Sequence, residues 1–84
     1  MKVELKTGED EIIVRFDTLS EESLESFEHI RAALADKHGI YFIRWTVDNN
    51  RYWEGHLKPS LSGLTNTKLL KILHKILDEE GSTV

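Results

Sequence analysis

The hydropathy pattern of this chain changes period twice, and that change limits the fold more than any other feature. Val3 and Leu5 alternate with Lys2, Glu4 and Lys6, and Ile12, Val14 and Phe16 alternate with Ile13 and Arg15. Both stretches have the period of strands with one face on a core. Leu24, Phe27, Ile30 and Leu34 then recur at the spacing of one helix face. The succession repeats: Ile40 to Val47 and Arg51 to Leu57 read as strands, and Leu69, Leu70, Leu73, Ile76 and Leu77 as a second helix face. The expected order is ββαββα. It predicts an α+β fold, a four-stranded, mostly antiparallel sheet with two helices packed on one face. Residues 1–81 are expected to form a single domain of two ββα units, 1–39 and 40–81, with 82–84 as a frayed tail. The halves share no residue-level identity, so the repetition is one of topology.

Local signals place the element boundaries. Gly8, at the first central position of Thr7-Gly8-Glu9-Asp10, suits a two-residue type II′ turn. Such a turn pairs Leu5 with Ile12, Val3 with Val14 and Met1 with Phe16. Thr18 with Glu21 fits a capping box, and Ser20 is a rival N-cap. Gly39 follows Lys37 and His38 as a left-handed stop. Asp48-Asn49-Asn50 is a turn cluster. A three-residue loop there sets Trp45 opposite Trp53, Tyr41 opposite Leu57 and Arg44 opposite Glu54, which sorts apolar with apolar and opposite charges together. Lys58 to Thr67 holds the only proline and reads as a loop, with Leu61 and Leu64 as anchors. Its length exceeds the usual span of about two to six residues, which makes it a second candidate for a functional segment. Thr65 or Thr67 caps the second helix, and Gly81 ends it.

Composition then narrows the classes of function. The chain has 84 residues, 15 acidic and 11 basic, a net charge of −4, and no cysteine. The last point removes disulfides, thiolate nucleophiles and cysteine-ligated zinc. Residues 1–39 carry ten acids and five bases, whereas residues 40–84 carry five acids and six bases. Five of the seven aromatic residues fall between Tyr41 and Trp53. The N-terminal residues lack the apolar run of a secretory signal, and no stretch reaches the roughly 18 apolar residues of a membrane span. The expected address is the cytoplasm. His29, His38, His56 and His74 are not at i, i+4 spacing, and there is no glycine-rich phosphate loop, so neither metal nor cofactor is expected.

Alternation also sorts the sheet into faces. Val3, Leu5, Ile12, Val14, Phe16, Tyr41, Ile43, Trp45, Val47, Trp53 and Leu57 should face the helices. Lys2, Glu4, Ile13, Arg15, Ile40, Phe42, Arg44, Thr46, Tyr52, Glu54 and His56 should share the other face, which no helix is left to cover. Contiguous apolar and aromatic side chains beside arginines make a protein-contact composition, so Arg15, Phe42, Arg44, Tyr52 and His56 are the leading binding residues. Glu21, Glu25 and Glu28 line one side of the first helix, as a solvated face or as an acidic dock for a basic partner. His56, Glu54 and Arg44 have acid–base chemistry between them, but a flat sheet lacks the water-excluding cleft that catalysis uses. The sequence therefore points to a small non-catalytic module of regulator or inhibitor type, binding a protein partner or a second copy of itself. Proteins of this size class include those encoded by phages and mobile elements. The alternative is single-stranded nucleic acid on the open face, with bases on rings and phosphates on cations; the negative net charge opposes it.

Overall fold

A computed structural model of the chain describes residues 3–17, 20–48 and 52–80. The order is β1 (Val3–Gly8), β2 (Glu11–Phe16), α1 (Glu21–His38), β3 (Arg44–Asp48), β4 (Tyr52–Leu57), a short 3₁₀ helix (Pro59–Ser62) and α2 (Asn66–Glu80). The four strands form one antiparallel sheet in the order β1-β2-β4-β3. The ββαββα α+β fold is the one the periodicity implies. Expectations resting on Met1, Lys2, Thr18, Asn49, Asn50, Arg51, Gly81 and the tail at 82–84 lie outside the described residues.

Buried side chains from one sheet face and from both helices make a single cluster. Val3, Ile12, Val14, Phe16, Trp53 and Leu57 meet Phe27, Ile30 and Leu34 of α1 and Leu69, Leu73, Ile76 and Leu77 of α2. The two central strands contribute most, with Ile12 opposite Leu57 and Phe16 opposite Trp53. Ser20 caps α1 through a reciprocal pair with Ser23: each backbone N–H donates to the other's hydroxyl, at 3.0 and 3.1 Å. Gly39 ends the helix in the left-handed region, at φ 64°. Thr65 caps α2, its hydroxyl accepting the Lys68 N–H at 3.2 Å.

Both hairpins differ in register from expectation by two residues, which preserves the faces. In the first, Leu5 stands opposite Val14 and Val3 opposite Phe16. The left-handed residue of the turn is Asp10, at φ 49°, and not Gly8. In the second, Trp45 stands opposite Gly55 and Val47 opposite Trp53. A side chain at Gly55 would bring its Cβ to 2.6 Å from the Trp45 ring and 2.7 Å from the Phe42 ring. A large residue is thus accommodated by the absence of one across the ladder.

Alternation fails at the entry to β3. Ile40 is buried and Phe42 packs against the core, whereas Tyr41 and Ile43 are exposed. This corrects four face assignments, Phe42 among them. The Ile43 N–H donates to the His56 carbonyl at 2.8 Å, while Arg44 is itself the ladder partner of His56. Two residues opposite one is the geometry of a β-bulge, and a bulge inverts the parity of everything before it. Leu24 also departs from its helical stripe and is half exposed.

The 58–67 connection is a clasp. Pro59 is buried, Asn66 donates its side-chain N–H to the Gly8 carbonyl at 2.8 Å, and the Ser60 N–H donates to Asp10 Oδ1 at 2.9 Å. The Ser60 hydroxyl donates to the other Asp10 oxygen. Leu64 is half-buried against the core, but Leu61, expected as an anchor, is exposed.

Two outcomes follow from these contacts. Gly55→Ala should destabilise the fold by about 1–3 kcal/mol, since either ring must move; denaturant unfolding checks this, with a tryptophan emission shift as the accompanying sign. The two hydrogen bonds from Ser60 hold the Asp10 carboxyl below the usual carboxylate range. A depressed folded-state pKa means that this stabilisation is complete above the unfolded-state value and is lost as pH falls through the folded one. Urea midpoints from about pH 5 to about pH 2 should therefore fall more steeply for the wild type than for Asp10→Asn. Equal slopes would exclude the clasp as a source of stability.

Candidate functional site

The sheet face away from the helices arranges its side chains in cross-strand rows. One row is Lys6, Ile13, His56 and Arg44, and the next is Glu4, Arg15, Glu54 and Thr46. Lys6 Nζ lies 3.8 Å from Glu54, and the Thr46 hydroxyl is 3.5 Å from Glu54 and 3.3 Å from His56 Nε2. The Arg15 guanidinium sits 3.5 Å above the centre of the Tyr52 ring, a cation–π stack that occupies both groups. Among the described residues, the bases Lys6, Arg15 and Arg44 are interleaved on the face with the acids Glu4, Glu11 and Glu54, and the register adds position 48, also acidic, so the face has no cationic excess.

His56 is the inner member of this face. It is only 4% exposed, although no helix lies over it. Its Nδ1 has no hydrogen-bond partner among the described residues and lies 3.6 Å from a Glu11 carboxylate oxygen. Two of the five predicted residues, Arg15 and Tyr52, are therefore brought into direct contact. His56 is enclosed by its neighbours, and Arg44 is exposed beside it at the outer strand. Phe42 is absent from the face altogether. It packs 5.8 Å from Phe27 and 4.8 Å from Trp45, measured between ring centres, because the bulge turns it inward. With Ile40 also buried, the open face loses Phe42 and Ile40 and keeps Ile13 and the arginine-covered Tyr52, while the same inversion turns Tyr41 and Ile43 outward at its β3 end.

The acidic residues of α1 are exposed, and each has a different setting. Glu28 accepts from Arg31 at 2.7 Å, a surface pair that stabilises a helix by a few tenths of a kcal/mol at most, roughly. Glu21 borders a groove at the start of the helix, and Glu25 faces solvent. No group of three metal-ligating side chains converges among the described residues. No helix there is long and apolar enough to cross a membrane.

Exposed apolar surface gathers elsewhere, at the β3 end of the helix-bearing face. Trp45 is 36% exposed, Val47 59% and Leu24 51%. Trp45 stacks edge-on against Phe27, with ring centres 4.0 Å apart, and its ring lies 5.2 Å from that of Trp53. Trp53 in turn anchors to α1 by donating its indole N–H to Ser23 Oγ at 3.3 Å. Beside it, Ser20, Glu21, Ser23, Leu24 and Trp53 line a shallow, almost wholly apolar groove of about 340 Å³. Leu24 of α1 and Trp45 and Val47 of the outer strand thus form one strip of exposed apolar surface, with the buried Trp53 beneath it. Periodicity assigns these residues to the core and so passes over them as a surface. The available signal is the run Arg44-Trp45-Thr46-Val47-Asp48, a strongly β-forming segment without the lysine or proline that commonly guards an edge.

Comparison of the chain with protein-family models, with curated proteins and with solved structures returns no match.

Proposed function

We propose that this chain is a small non-catalytic protein-binding module, of regulator or inhibitor type, whose contact surface is the strip formed by Leu24, Trp45 and Val47 over the buried Trp53. The observation that carries this reading is the exposure of large apolar side chains at the outer strand, next to an apolar groove. A soluble domain gains nothing from leaving such a patch wet, and contiguous apolar surface marks contact sites. Aromatic anchors ringed by polar residues are the usual centre of a protein interface, and Ser20 and Glu21 stand at the margin of this one. The open sheet face supports the reading less well, because its bases are offset by acids and the Tyr52 ring is covered by Arg15. The offset charges also weigh against single-stranded nucleic acid, which needs uncompensated cations.

The test is a double variant, Leu24→Lys with Val47→Lys. Both positions are half exposed, so unfolding stability should change by about 0.5 kcal/mol or less at each. Affinity purification followed by mass measurement should then show that complexes formed by the wild type are lost. Retention of every complex by the folded double variant would assign binding to another surface.

A further inference from the structure

The sheet has two outer strands, and they differ in what they leave uncovered. In β1, Val3 is fully buried and Lys6 is paired with Glu54. In β3, Trp45 and Val47 keep apolar area open to solvent. The direction of the backbone groups at β3 follows from one hydrogen bond. The His56 carbonyl accepts the Ile43 N–H, so the backbone of His56 faces β3. In an antiparallel ladder the backbone groups alternate sides residue by residue. Tyr52, Glu54 and His56 therefore face β3, and their partners Asp48, Thr46 and Arg44 face back. Trp45 and Val47 turn their N–H and C=O groups outward, where no other strand of the described chain lies.

We propose that this edge pairs with the same edge of a second copy of the chain, the two β3 strands running antiparallel about a two-fold axis at Thr46. The proposal rests on the strip being a protein-contact surface and names its occupant. The segment is complementary to itself in that register. Trp45 of one copy stands opposite Val47 of the other, and both have their backbone groups pointed at the partner. Thr46 stands opposite Thr46, and Arg44 opposite Asp48. Aromatic with β-branched, threonine with threonine and opposite charges are the pairings that stabilise antiparallel strands. Neighbouring registers lose this match. A slip of one residue sets outward backbone groups against inward ones. Moving the axis to Trp45 sets Arg44 opposite Thr46 and abolishes the charge pair. With the axis normal to the sheet, both helix layers stay on one side, and the two sheets join in the order β1-β2-β4-β3-β3-β4-β2-β1. Trp45 and Val47 of each copy then cover those of the other, with Leu24 at the margin.

Sedimentation or light scattering of the full chain over a wide concentration range tests this. The wild type should self-associate. Arg44→Asp and Asp48→Arg should each weaken association about tenfold or more, because each places like charges opposite one another. The double swap, Arg44→Asp with Asp48→Arg, should restore the homodimer, and an equimolar mixture of the two single variants should form the heterodimer. Lys6→Glu, on β1, should leave association unchanged. A wild type that stays monomeric up to about 1 mM would overturn the proposal. So would wild-type association of Arg44→Asp, or dissociation by Lys6→Glu alone, which would place the contact at β1. If these arms fail while Leu24→Lys with Val47→Lys still loses a different protein, the strip remains a contact surface and a second copy is not its occupant.

Discussion

Gly55 leaves a gap in the middle of β4, and two aromatic rings close it. The Trp45 and Phe42 rings lie where a side chain at position 55 would have to stand. From there they reach Phe27, whose ring meets those of Phe16, Phe42, Trp45 and Trp53 with centres 4.0 to 6.3 Å apart. Burial of rings of this size supplies much of the apolar area in so small a domain. This cluster ties the second hairpin to α1, as the Trp53–Ser23 hydrogen bond does at the helix start. The register of β3 on β4 and the seating of the Phe42 and Trp45 rings both depend on the missing side chain at Gly55.

The bulge at Ile43 and Arg44 acts together with that gap. One extra residue lets both Phe42 and Trp45 point toward the helices, which strict alternation forbids. The cost falls on the residues between and before them, since Tyr41 and Ile43 are turned out to solvent. It also removes Ile40 and Phe42 from the opposite face and puts Tyr41 and Ile43 out in their place, at the end of the sheet. What remains at the middle of that face is a mixed set of charges around an enclosed histidine. Apolar surface is therefore concentrated at the outer strand, where backbone groups are also unpaired, and the two properties coincide on the same five-residue segment.

Much of the fold was legible because it depends on local physics. Period-two stretches became β1, β2 and β4 with the expected faces, and period-3.6 stretches became α1 and α2 with Gly39 as the expected stop. The candidate site was less legible. Alternation places Arg15 and Tyr52 on the open face, where they lie, but their contact occupies both. It does not place Phe42, because a bulge has no mark in the hydropathy pattern. The hairpin registers escape it for a related reason: matching like with like across strands assumes that each side chain fills its own space, whereas Trp45 fills the space of its partner.

Sequence alone determined the order of elements, the two layers and the sidedness of the central strands, since these follow from the spacing of apolar residues and the chemistry of caps and turns. It also determined the uneven charge, with the acidic excess on the first unit and the aromatic residues in the second. Only the tertiary structure decided which residues are left for recognition. That choice turned on the order of strands, which made β3 an edge, and on the packing over Gly55, which held Trp45 half out of the core. Both arise from contacts between segments distant in the chain, where no local period or propensity carries the information.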